Sequence, residues 1–284
     1  TYRLKRGEQI QFFQEQDLTG SRIGANKPVG VYVGHQAMAI PTSMTCCGDT
    51  SQTALFPVKA WGREYAVVPY RSRRAKEAAE DFLYRITAAV DGTVLTYEPS
   101  APKEAPLSLS AGQSVIFTSQ EPFVVRSQDS DHPFAVFSYM TGEEFAQAQA
   151  FQGDPEFVPV VPSEQYLGKY VFFVDTTHAN SQLVVVRARQ SGKEFAPVNL
   201  DCAGALEEWT PLGASGAYEY TRIWLTKEKK PQTVGKGTCG AGRHVIESAG
   251  AFAVTVWGTA PYASYGYPGG GALRTLNAVE TIVN

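Results

Sequence analysis

Apolar residues recur along this chain in short runs of four to six, rich in β-branched and aromatic side chains and separated by turn residues. Residues 29–33, 65–68, 85–90, 93–97, 114–117 and 134–139 are six such runs. Residues 170–174, 182–187, 220–225 and 252–257 continue the series. Short β-branched and aromatic runs bounded by Gly, Pro, Asn and Asp predict strands. The turn chemistry between them includes Asn26-Lys-Pro28, Asp91-Gly92, His132-Pro133 and Ser191-Gly192. Asp91-Gly92, between two alternating runs, predicts a β-hairpin. Residues 73–82 and 143–151 alone read helically, without a wide apolar face, and predict short surface helices or loops. The pattern predicts an all-β protein.

An internal repeat sets the expected domain plan. Gly7-Glu-Gln-Ile-Gln-Phe faces Gly112-Gln-Ser-Val-Ile-Phe, and Pro28-Val-Gly-Val-Tyr faces Pro133-Phe-Ala-Val-Phe, both 105 positions on. A looser third copy runs from His244 to Gly258, and the opening of the unit recurs at Gly62-Arg-Glu-Tyr65 and Gly168-Lys-Tyr170. The expectation is tandem β-sandwich-like repeats of about seven strands each. Residues 1–35 would be the closing half of a first repeat and 36–54 a linker. Residues 55–140 would form a second sandwich, 141–156 a linker, 157–262 a third sandwich, and 263–284 an aromatic and Gly-rich tail. On this reading the chain begins inside a repeat. The apolar faces Ile10/Phe12 and Val29/Val31/Val33 must then pack on the second unit or pair with another copy, making self-association through the incomplete repeat a further expectation.

Composition narrows the function classes. Hydrophobic residues make up 43% of 284, enough for a real core. The formal net charge of -3 excludes a nucleic-acid grip built on excess positive charge, and no apolar run is long enough for a membrane-spanning helix. Residues 1–6 lack the apolar stretch of a signal peptide.

Several stretches together resemble one family. They are Asp17-Leu-Thr-Gly-Ser-Arg-Ile, Asn26-Lys-Pro-Val-Gly-Val-Tyr-Val-Gly-His35, Cys46-Cys-Gly-Asp, and Pro57-Val-Lys-Ala-Trp-Gly-Arg-Glu-Tyr65. Val124-Val-Arg-Ser-Gln-Asp-Ser-Asp-His-Pro-Phe134 and Ser264-Tyr-Gly-Tyr-Pro-Gly-Gly-Gly complete the set. The chain is similar to the IgG Fc-binding protein N-terminal family, found in secreted mucus proteins of animals and in bacterial surface proteins and lipoproteins, and it fits the bacterial branch better. The resemblance implies a secreted or cell-surface, non-enzymatic adhesion or binding role toward a protein or glycan. It defines no catalytic residues to carry over. A structural spacer is the alternative within that class.

Individual residues add less. Cys202 and Cys239, 37 positions apart, predict a staple within the third sandwich; two free thiols are the plainer alternative. For Cys46 and Cys47 a vicinal ring, a bridge to another segment or chain, and free thiols stay open. His35, Cys46, Cys47 and Asp49 are ligand types that zinc accepts, but no metal-site spacing frames them, and neither metal nor cofactor is expected. Asp129 and Asp131 read as a turn rather than a calcium loop. Glu143-Glu144 and Glu207-Glu208 are the carboxylate pairs that a polysaccharide-active enzyme would need, yet adjacent surface carboxylates are the ordinary reading. Tyr262, Tyr265 and Tyr267 are the candidate binding residues, since Tyr offers contact area at low entropic cost. Capping the open end of the third sandwich is their alternative role.

Overall fold

Positions 82, 84, 86 and 88 are buried while 83 and 85 are partly exposed, so a strand with one face in a core forms from this stretch. In the computed structural model, which describes residues 1–43 and 48–280, the strand lies in the first of two sandwiches. A separate two-stranded ribbon of β1 (Tyr32–Met38) and β2 (Asp49–Ala54) precedes this sandwich, whose own strands are β3 (Glu64–Val67), β4 (Phe82–Ala88), β5 (Thr93–Glu98), β6 (Ser108–Leu109), β7 (Ser114–Ser119), β8 (Phe123–Ser127), β9 (Phe134–Met140) and β10 (Glu156–Pro159). One antiparallel sheet has the order β10-β9-β4-β7 and the facing sheet β3-β8-β5-β6. Tyr65, Val67, Tyr84, Ile86, Phe117, Phe123, Val125, Phe134 and Val136 fill the space between them. The fold is all-β, with helix confined to short turns such as α1 (Glu143–Ala146).

The second sandwich is built from β11 (Leu167–Val174), β12 (Asn180–Ala188), β13 (Val198–Leu200), β14 (Gly204–Ala205), β15 (Thr210–Leu212), β16 (Tyr218–Lys227), β17 (Lys230–Val234), β18 (Gly237–Cys239), β19 (Gly242–Ala260) and β20 (Ala263–Pro268). Its two sheets share the 19-residue strand β19. The first half of β19 pairs with β11 and β13, and the second half with β12 and β20. Replacing β8 and β9 by the two halves of β19 makes the pairing orders coincide. β3-β8-β5-β6 corresponds to β11-β19-β13-β14, and β10-β9-β4-β7 to β20-β19-β12-β16.

β12 shows why some strands here are continuously apolar. Leu183 and Val185 enter the second sandwich's own core, whereas Val184 and Val186 join the core of the first. Phe252, Val254 and Val256 of β19 divide in the same way from Ala253 and Trp257. Strands covered on both faces lose the alternation of half-buried ones. The two sandwiches are therefore joined by a packed apolar seam, which leaves a cavity of about 30 Å³ between Val158, Tyr166, Val186 and Trp257.

Five sequence expectations are corrected. Asp91-Gly92 is not a hairpin: both edges of β4 are taken by β7 and β9, so the chain crosses to β5 in the opposite sheet. Residues 1–31 form no strand; Ile10, Phe12 and Val29 are exposed, and Val31 only accepts the Leu55 amide at the start of the ribbon. That segment instead touches the first sandwich through Asp17 and Thr19 on Arg85, and through Gly20 against Gly112. Residues 36–54 are not a plain linker. They hold most of the β1-β2 ribbon, whose Ile40 packs with Tyr139 and Phe157. Residues 141–156 carry α1 and the start of β10, with Thr141 and Asp154 buried. Residues 263–268 are β20 rather than tail. The chain beyond them is bound along the seam, where the Asn277 side chain donates to the carbonyls of Val58 and Trp61.

Candidate functional site

Two places gather side chains that sequence reasoning singled out, and a third was not foreseen from the sequence. The first surrounds the disulfide. Cys202, in the turn after β13, is bonded to Cys239 at the end of β18, with Cα atoms 5.2 Å apart. Gly237 allows this approach, since a Cβ there would stand 1.9 Å from the Cys202 carbonyl oxygen. Asp201 and His244 brace the same point: His244 Nδ1 lies 2.9 Å from Asp201 Oδ1 and Nε2 lies 2.8 Å from the Gly240 carbonyl. Asp201 Oδ2 accepts the Val245 amide at 2.8 Å. Although half-exposed, the Asp201 carboxyl is held below its ordinary value, its partial desolvation outweighed by the bonds from His244 and Val245. Asp201, Cys202 and His244 are metal-ligand types within 4.8 Å of one another. The sulfur, however, is spent in the disulfide, and both imidazole nitrogens already face acceptors. This cluster holds two loops together and does not suit a metal. Cys46 and Cys47 lie outside the described residues.

The second place is the tyrosine edge. Tyr265 and Tyr267, on β20, are partly buried. Tyr267 Oη accepts from the Phe173 amide at 3.0 Å and donates to the Phe173 carbonyl, and Tyr265 Oη accepts from the Asp175 amide at 3.1 Å. Both rings bridge β20 to the end of β11. Tyr265 also lies over Gly258, its cross-strand partner, just as Trp257 lies over Gly266. Tyr262, just before β20, is 48% exposed. An open polar hollow of about 510 Å³ sits elsewhere on the second sandwich, lined among others by Arg189, Lys193, Glu194 and Ser215.

The third place went unnoticed in the sequence. Arg73 is 6% exposed. Its guanidinium binds Glu80 at 2.6 Å and the Thr141 carbonyl at 2.8 Å, and Tyr70 donates to the same Glu80 oxygen. Glu143, far from offering a surface pair with Glu144, is buried close to this group; one oxygen of Glu143 and one of Asp154 have no hydrogen-bond partner among the described residues. Burial, reinforced by Asp49 and Glu143, pushes Asp154 up to about 7. Burial does the same to Glu156, also to about 7. The only sequence signal was an Arg and a Glu seven positions apart beside a strand, which is indistinguishable from surface charge. Glu207 and Glu208 are exposed and gather no second functional group. Asp129 accepts from the Asp131 amide and faces His132, as a turn-former does.

Arg126 is one of the polar side chains on the seam. It binds Glu64 at 2.9 Å and also Glu98, whose other oxygen accepts the amides of Ala214 and Ser215 from the second sandwich. These ion pairs, like the disulfide bracket and the tyrosine edge, have partners that account for them structurally.

The fold and its sites define an all-β protein of two fused sandwiches, with a disulfide in the second. The chain belongs to the IgGFc binding protein family, whose model matches residues 1–258. No match is found among the curated proteins. Among solved structures, an anti-sigma factor domain-containing protein from Clostridium clariflavum aligns over 84% of this chain and 96% of its own, at 9% identity and a TM-score of 0.21. No helix among the described residues is long and apolar enough to cross a membrane.

Proposed function

We propose that the chain is a non-catalytic binding module of an extracellular or cell-surface protein, its two sandwiches being copies of one repeat, and that it acts in adhesion. The family supports an extracellular binding role, and the disulfide fits an oxidising compartment. The observation that carries the reading is where the exposed apolar surface lies. Nine of the seventeen exposed large apolar side chains among the described residues fall between Tyr2 and Tyr32, Phe12 and Phe13 among them. Apolar surface concentrated in one segment marks an interaction site, and a protein ligand suits it better than a glycan. Tyr262 is a second contact candidate, with Tyr265 and Tyr267 as its support. A spacer without a ligand is favoured by a different observation, the packed apolar seam that fuses the two sandwiches.

The test immobilises the chain and presents a panel of extracellular proteins, immunoglobulin Fc included, alongside a glycan array. Saturable binding that falls at least tenfold on combined Phe12→Ser and Phe13→Ser substitution supports the reading. Binding to neither panel leaves the spacer, and turnover of a polysaccharide would restore the enzyme alternative.

A further inference from the structure

The bracket around the disulfide gathers more than two sulfurs. Asp201 and Cys202 come from the turn after β13, and Cys239 and His244 from the two sides of the turn between β18 and β19. One ligand atom each of Asp201, Cys202 and His244 lies within 4.8 Å of the others, and the Cys239 sulfur is bonded to that of Cys202. Each turn thus brings a pair of ligands to one point, where two sulfurs, an imidazole nitrogen and a carboxylate oxygen meet. While the disulfide is intact the bracket has no sulfur to offer a metal. With both sulfurs reduced, it holds the donor set of a four-coordinate zinc site.

The backbone that places these groups has supports besides the S–S bond. The Asp201 amide donates to the Val245 carbonyl at 2.9 Å, and Asp201 Oδ2 accepts the Val245 amide at 2.8 Å. β13 is paired along β19, Leu200 opposite Ile246, and β18 along β17, Cys239 opposite Gln232. The His244 ring is buried beside that of Phe172, with centroids 5.6 Å apart. Its Nε2 lies 2.8 Å from the Gly240 carbonyl, which leaves Nδ1 turned to Asp201. A metal-bound histidine keeps such a carbonyl on its other nitrogen, where it fixes ring and tautomer. Nδ1 is therefore the ligating atom and Gly240 its support, as the Val245 amide is for Asp201. Cys239 is buried whereas the Asp201 side chain is 38% exposed, so an ion enters from the Asp201 side.

We propose that, once the bond between Cys202 and Cys239 is reduced, Cys202, Cys239, His244 and Asp201 bind one zinc ion. The reductant is a thiol. Two thiol molecules supply two electrons and two protons and leave joined as a disulfide; the Cys202–Cys239 bond breaks and both residues become thiols. Zinc then displaces one proton from each thiol and the one that His244 Nδ1 shares with Asp201, and nothing further is oxidised or reduced. The two sulfurs part to about 3.8 Å around an ion about 2.3 Å from each, a separation that rotation about the two Cα–Cβ bonds opens. Thiolate ligands select zinc over calcium or magnesium. The same two turns are thus held in either redox state, by the covalent bond when oxidised and by the ion when reduced, and reoxidation releases the ion. The site goes beyond the binding reading and does not rest on it.

The test uses the full chain with Cys46→Ser and Cys47→Ser, which leaves Cys202 and Cys239 as its only cysteines. It is reduced with tris(2-carboxyethyl)phosphine, freed of metal and titrated with Co2+, the spectroscopic substitute for zinc. One equivalent is expected to give the intense thiolate-to-cobalt charge-transfer band and the visible bands of a tetrahedral site, and Zn2+ to bleach both. Zinc is also expected to slow amide exchange at residues 199–206 and 237–245 of the reduced chain by about tenfold or more, since metal binding adds to folding free energy. Asp201→Asn and His244→Gln, which keep the side-chain shape, should each weaken zinc by about tenfold or more, and Cys202→Ser should cut the charge-transfer intensity. Three results would overturn the proposal: no charge-transfer band in the reduced chain, the same spectrum from the oxidised chain, or unchanged spectrum and affinity in His244→Gln.

Discussion

The Tyr65 hydroxyl donates to the carbonyl oxygen of Phe134 at 2.5 Å, and in the same place of the second sandwich Tyr170 donates to Phe252 at the same distance. Each hydroxyl also accepts the amide three residues before it, from Gly62 and Leu167. Each ring packs on the phenyl ring of its acceptor residue, with centroids 4.8 and 5.0 Å apart. One side chain thus ties the first strand of a sandwich to the strand that closes the opposite sheet. Desolvation raises both hydroxyls well above the ordinary tyrosine value, Tyr170 to about 12, so both stay protonated donors.

Tyr65→Phe and Tyr170→Phe are each expected to destabilise the protein by about 1–3 kcal/mol, the cost of leaving buried backbone groups unsatisfied. Denaturant unfolding measures it. A neutral Tyr170→Phe beside a costly Tyr65→Phe would deny the equivalence of the two positions.

Reduction, or paired Cys202→Ala and Cys239→Ala substitution, is expected to cost about 2–4 kcal/mol by releasing the closed loop. Hydrogen exchange should rise in β13, β14, β17 and β18 and stay unchanged in β3 to β9. Alkylation of both cysteines in unreduced protein would contradict the bond.

Gly258→Ala tests the interlock of β19 and β20. A Cβ there would lie 1.9 Å from the Tyr265 ring, so the ring must leave its position. The expected loss is about 1–3 kcal/mol, the range for overpacking, and Tyr265→Ala in the same chain should recover part of it. No recovery would place the damage in the backbone instead.

What could be read from the sequence follows from how far each signal reaches. Period-two alternation is local, so residues 85–88 of β4 were visible as a strand, whereas its first residue, Phe82, falls in a stretch that reads as a short helix or loop. The Gly-x-(x)-Tyr opening and the closing Phe134 and Phe252 strands were visible because both units reuse them. Which strand pairs with which is not local: Asp91-Gly92 has hairpin chemistry, yet the edges of β4 were already claimed. β20 was hidden for another reason. Its Gly266 has low strand propensity and forms a strand only because Trp257 fills the space above it. Arg73 was hidden by its charge, since nothing in the sequence shows that Glu80, Thr141 and Tyr70 converge on it from separate segments.

That buried cluster gives stability an unusual pH dependence. Asp154 and Glu156 each titrate at about 7 in the folded protein, chiefly through burial, whereas unfolded carboxyls titrate near 4. Between these values the folded state binds more protons than the unfolded state, so stability falls as pH rises through this window and levels off above it. Carboxyls that the fold pulls the other way, such as Glu98 and Asp201, add stability that is complete above the unfolded value and is lost only below it. They leave the slope between pH 5 and 8 to the raised carboxyls, to which Glu164, also raised by burial, adds in the same direction. Urea unfolding across that range is expected to show a midpoint declining with pH. Asp154→Asn, which keeps the shape and cannot ionise, should flatten the decline and raise stability at pH 8 relative to wild type. A midpoint that rises from pH 5 to 8, or an Asp154→Asn profile parallel to wild type, would show that Asp154 is already ionised in the folded chain, with Arg73 as its partner.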